Sequence, residues 1–142
     1  MKNKIWLILL FISFLVACEE NLTIDIPEGQ EQLVVEGHIE QGAPPVVVLT
    51  RSMPVFDDFS SASIEASFVH GAKVEVTSAG RSYTLKEVPA AAFWPELRRV
   101  VSEQYAIPED RLTASSNFIF YVYTSEELMG EVGKSYQLRI SH

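Results

Sequence analysis

The chain is short of cysteine, histidine and basic charge, and each shortage excludes something. Of 142 residues, one is Cys and three are His. A single Cys rules out an internal disulfide and a Cys-based zinc site. The histidines, His38, His70 and His142, are scattered, whereas a metal site needs convergent ligands. His38 shares a strand face with Glu36 and Glu40, but proximity in sequence is not coordination geometry, and a solvated strand face is the favoured reading. Lys and Arg number 11 against 19 Asp and Glu, a net charge of −8. That balance repels phosphate backbones, so nucleic acid is not an expected partner. The seven glycines form no phosphate-cradling loop. Ser60, Ser61 and Ser63 lack the setting of a nucleophile elbow. No repeat or low-complexity block is visible. No catalytic residue, metal site or cofactor is therefore expected, and a non-enzymatic role is.

What is present starts at the N-terminus. Lys2 and Lys4 precede an apolar run, Ile5 to Ala17, broken only by Ser13. The run is shorter than the ~20 residues of a membrane span and has the proportions of a signal-peptide core. Leu15-Val16-Ala17-Cys18 follows as a lipobox: a branched apolar residue, a tolerant position, a small residue, then Cys. The thiol has to accept a diacylglyceryl group, and the protease that cuts before it needs a small residue in its pocket. The pattern resembles lipoproteins processed by signal peptidase II. Residues 1–17 are thus expected to be a signal peptide, with Leu15, Val16 and Ala17 read by the peptidase and Cys18 lipidated. Each buried acyl CH₂ contributes about 0.8 kcal/mol, so two or three chains hold a protein durably where one does not. Without Lys2 and Lys4, nine basic residues face 19 acidic ones, a net of −10. Such a domain stands off from anionic headgroups. Glu19 and Glu20 read either as a surface-export signal or as a solvated acidic tether.

Residues 18–31 form the expected lipidated tether. Leu22, Ile24 and Ile26 alternate as in a short edge strand, ended by Pro27-Glu28-Gly29. A β domain is expected over 32–142. Gln32–Glu40 and Pro45–Arg51 read as strands, the second apolar enough for burial on both faces. Residues 52–66 read as a polar, Ser-rich loop. Val74 and Val76 alternate with Lys73, Glu75 and Thr77. Ser78-Ala79-Gly80 then turns the chain into Arg81–Lys86, which makes a hairpin. Pro95 at a first helical position, followed by Leu97, Val100, Val101 and Tyr105, predicts a short helix over 95–105. Asn117–Thr124 and Ser135–Ser141 read as the last strands. Six or seven short strands with one inserted helix predict an all-β sandwich.

These segments resemble a known family. Cys18-Glu19-Glu20, Ile24–Glu28, Leu33–Gly37, Pro45–Arg51 and Pro54-Val55-Phe56 carry the resemblance, with Gly71–Val76 and Gly130–Leu138. It is to the N-terminal part of Bacteroidetes outer-membrane lipoproteins of domain-of-unknown-function family 4249. The resemblance implies an Ig-like or transthyretin-like sandwich and a place beside TonB-dependent outer-membrane transporters. Members usually run on past the point where this chain stops, so a truncated, non-functional fragment is a further expectation. The leading expectation is a lipid-anchored outer-membrane accessory to TonB-dependent uptake. Its partners would be membrane lipid, through acylated Cys18, and a transporter. The alternative is a surface glycan- or peptide-binding module using Phe56, Phe59 and Trp94. For Trp94 with Phe93, a buried hydrophobic staple is the more usual reading. The carboxylates Asp57, Asp58, Glu65, Glu109 and Asp110 have no spacing that fixes acid–base geometry.

Overall fold

The computed structural model describes residues 31–53 and 60–142. Over these described residues the fold is all-β with two short α-helices. Its strands are β1 (Leu33–His38), β2 (Val46–Arg51), β3 (Lys73–Ser78), β4 (Arg81–Pro89), β5 (Tyr121–Thr124) and β6 (Gln137–Ser141). They form one six-stranded antiparallel sheet in the order β1-β2-β5-β4-β3-β6. The sheet curls, which gives it a sandwich-like form. A Cβ placed on Gly37 of β1 would lie 3.6 Å from Leu138 of β6, so the first and last strands approach each other.

The alternation of side chains explains the layers. On β2, Val46 and Val48 join one core cluster, while Val47 and Leu49 join another on the opposite face. This is the burial on both faces that the continuous apolar run predicts. Inside the curl, Val47 and Leu49 meet Val74, Val76, Leu85 and Tyr123. Outside it, Val46, Val48 and Val122 are covered by α2 (Pro95–Tyr105) through Leu97, Val100 and Val101.

Helix α2 occupies the expected residues for the expected reasons. Pro95 takes the first turn and Glu96 lies near the positive end of the dipole. Arg99 pairs with Glu96 at 2.6 Å and with Glu103 at 2.9 Å along the exposed face. Ala106 ends the helix in a left-handed conformation, φ 53°. Arg98 ties the helix to its surroundings by donating to the Leu112 and Phe93 carbonyls.

Two expectations need correction. The Ser-rich stretch is not all loop, because α1 (Ser61–Ser67) takes up its second half and runs one residue past it. Ser60 caps that helix: its Oγ accepts from the Ser63 N–H at 3.1 Å, and Ser63 Oγ accepts from the Ser60 N–H at 2.9 Å. The same serine chemistry that favours turns here satisfies a helix terminus. The penultimate strand is also shorter than Asn117–Thr124. Pairing with β4 runs from Lys86↔Thr124 to Pro89↔Tyr121, and residues 117–120 lie outside the strand. The predicted edge strand at Leu22, Ile24 and Ile26 lies outside the described residues.

Candidate functional site: a groove at the edge of the helical layer

The helical layer covers only part of the sheet's outer face. It protects β2, β5 and the Val88 end of β4, and it stops at Trp94, the residue before α2. Farther along β4, Leu85 points into the inner core, so Thr84 and Lys86 point outward. They are exposed. The step between the covered and uncovered halves is a groove of about 610 Å³. Its lining includes Trp94, Thr84, Lys86, Thr124, Glu126 and Glu127.

The groove is held by cross-strand pairing. Lys86 lies opposite Thr124, which brings the β5 terminus and the Ser125–Glu127 turn alongside β4. The Glu127 N–H donates to Ser125 Oγ at 3.2 Å, and Arg81 lies 3.6 Å from the Glu127 carboxylate. Arg81 also stacks over the Tyr83 ring at 4.7 Å. Trp94 is half-buried and packs against the outer core cluster. Thr124 is 1% exposed, and its Oγ1 has no hydrogen-bond partner among the described residues. Neither Lys86 nor Glu126 forms an ion pair among those residues.

A second polar cluster braces the bend that enters β3. The His70 ring bonds to Glu87 through Nδ1 and lies 3.8 Å from Glu65 through Nε2. It stands edge-on to Tyr121 at 4.7 Å. The Glu87 carboxylate also accepts from the Gly71 N–H at 2.9 Å. Burial tends to raise the Glu87 pKa. The Gly71 N–H, the His70 ring and the Tyr123 hydroxyl outweigh it and hold the carboxyl below its ordinary 4.5. Tyr123 donates to the Val69 carbonyl at 2.7 Å and accepts from the Ala72 N–H at 3.1 Å. Burial is the main cause that raises its own pKa. Because these bonds run to backbone at residues 69–72, the cluster acts as a clasp on the crossover from β2 to β3. Among the described residues, no group of three or more His, Cys, Asp and Glu is arranged to hold a metal ion. His38 instead meets Tyr105 edge-on.

Of the residues the sequence singled out, Trp94 lines the groove and also packs against the outer core. Phe56 and Phe59 lie outside the described residues, as do Leu15, Val16, Ala17, Cys18, Glu19 and Glu20. Glu109 and Asp110 begin a 3-10 turn, and Glu65 bonds to Tyr121. Sequence reasoning missed Lys86, Thr124, Glu126 and Glu127. Their meeting depends on the pairing of β4 with β5 across the inserted helix, and no local pattern announces that pairing.

The family comparison adds to this geometry. The domain of unknown function DUF4249 matches residues 19–142. The chain belongs to the DUF4249 family. The DUF4249 match starts at Glu19, directly after Cys18. No curated protein and no solved structure matches the chain. Among the described residues, no helix is long and apolar enough to cross a membrane.

Proposed function

We propose that the mature chain is a lipid-anchored, non-enzymatic binding domain at the outer membrane, accessory to a TonB-dependent uptake system. One observation carries the anchor. The only cysteine completes a lipobox at Cys18, and the family match begins at the next residue. Cleavage before Cys18 would leave the whole matched stretch, residues 19–142, behind a lipidated first residue. Two or three acyl chains would then hold it by the arithmetic of buried CH₂ groups. The net charge of −10 after cleavage favours a domain that stands off from anionic headgroups on its tether. Glu19 and Glu20, beside the lipid, are compatible with export to the surface. A binding role is supported by the groove at Trp94, which joins an aromatic side chain to polar groups of both signs.

A second reading, a surface glycan- or peptide-binding module, is favoured by the same groove. It differs from the first in its partner, a diffusible ligand rather than a transporter.

The test uses the full chain in a bacterium with two membranes, grown with an alkynyl fatty acid. Wild type is expected to take up the label and sediment with the outer membrane, and Cys18→Ser to remain unlabelled. Cross-linking followed by mass spectrometry is expected to recover a TonB-dependent transporter. Absence of label on wild type, or label that persists in Cys18→Ser, would refute the anchor. A cross-linked set without such a transporter would refute the accessory role.

A further inference from the structure

The geometry points to the groove beside Trp94 as a binding site for a neutral oligosaccharide. This deepens the binding role proposed above and rests on it. At about 610 Å³ the groove falls within the ~300–1,000 Å³ range of small-molecule sites.

Three features converge there. Trp94 is half-buried and packs against the outer core, so it needs little ordering on binding. Thr124 is buried at the same place with an unpartnered hydroxyl. A buried hydroxyl without a partner costs about 1–3 kcal/mol, and native interiors keep few of them. The Thr124 oxygen is closed to water in the free protein, so a ligand hydroxyl recovers that bond where the groove wall beside Thr124 yields. Finally, the charges balance. Lys86 and Glu126 both line the groove, one charge of each sign, and Arg81 at 3.6 Å offsets Glu127. Such a rim offers donors and acceptors without a net field, which disfavours anions and cations alike. A pyranose matches this chemistry: its C–H face suits the indole, and its hydroxyls suit Thr84, Lys86 and Glu126.

An extended peptide is the competing occupant, because such peptides bind by adding a strand to a free sheet edge. β4 pairs with β3 over Arg81–Leu85 and with β5 over Lys86–Pro89, so the Ser82–Thr84 backbone beside the groove has a strand partner on one side only. The balanced charges and Trp94 favour the sugar, and titration with hexa-alanine separates the two.

The chain itself supplies the probe. Its two tryptophans are Trp6 and Trp94, and Trp6 leaves with the signal peptide. Emission from the mature lipoprotein, purified in a sugar-free detergent, therefore reports on the groove. It would be titrated with maltohexaose, cellohexaose, xylohexaose and mannohexaose, with hexagalacturonate and hexa-alanine alongside. At least one neutral sugar is expected to change Trp94 emission saturably, with Kd at or below about 1 mM. Thr124→Val is expected to weaken that binding about five- to tenfold, the equivalent of one hydrogen bond. Its unfolding midpoint should not fall, because the deleted hydroxyl has no partner in the free protein.

Silence from every neutral sugar up to about 10 mM, an equal response to hexagalacturonate or hexa-alanine, or unchanged affinity in Thr124→Val would overturn the assignment. Failure of the anchoring reading shows separately, as an unacylated Cys18 and added emission from a retained Trp6.

Discussion

Tyr123→Phe isolates the clasp at the entry to β3. The ring stays, so the inner core keeps its packing; only the hydroxyl is removed. Tyr123 is 3% exposed, and its oxygen serves the Val69 carbonyl at 2.7 Å and the Ala72 N–H at 3.1 Å. Val69 is 2% exposed and Ala72 9%, so water does not readily replace the lost partner. Each buried group left unpaired costs about 1–3 kcal/mol, and relief from desolvating the hydroxyl offsets part of the sum. A loss of about 2–4 kcal/mol is expected. With a urea m-value near 2 kcal/mol/M, the midpoint falls by about 1–2 M at constant m. Urea unfolding followed by circular dichroism measures it. Tyr121→Phe is the control. It loses a bond to Glu65, whose side chain is 43% exposed, and should cost under about 1 kcal/mol because water substitutes there. A Tyr123→Phe loss below about 0.5 kcal/mol, or one no larger than that of Tyr121→Phe, would refute the reasoning.

Three further outcomes are expected. Leu97→Ala, at a position with no exposure, should cost about 2–5 kcal/mol by leaving a cavity between α2 and the sheet, read by thermal unfolding. Gly130→Ala should destabilise more than Gly133→Ala. A Cβ at Gly130 would lie 2.0 Å from the Glu40 carbonyl oxygen, whereas Gly133 has open space and only its φ of 78° to strain; the paired denaturation curves decide it. Glu87→Gln should destabilise at pH 7. A carboxyl whose pKa is lowered by folding contributes stability above its unfolded value, 4.5, and loses it as pH falls through the folded value. The variant and wild-type midpoints should therefore converge once the pH falls below the folded value, which lies under 4.5. A difference independent of pH would contradict this.

The parts of the fold legible in the sequence are those set by local chemistry. Val46–Leu49 is apolar without interruption, and the strand it forms is buried on both faces. Pro95 and the spacing of Leu97, Val100 and Val101 fix α2 at the expected residues. Where one residue type serves two purposes, the reading fails. Ser60 and Ser63 suit a loop and a capping box equally, and α1 was hidden for that reason. Phe118 and Phe120 are β-prone, yet they stack with each other outside the strand, and Phe120 meets Tyr105 of α2. The groove was least legible. Trp94 stood out as an aromatic beside a helix, but Thr124 and Lys86 gain meaning only as cross-strand neighbours. The clasp is similar: His70 and Glu87 meet because β3 and β4 fold back as a hairpin.

Lipid on Cys18 is the proposed hold of the protein on the membrane. The most direct measurement is the intact mass and N-terminal peptide of the protein recovered from bacterial membranes. A chain that starts at Cys18 and carries acyl groups on that residue is the expected result. A chain that retains residues 1–17, or begins at an unmodified residue, would contradict it.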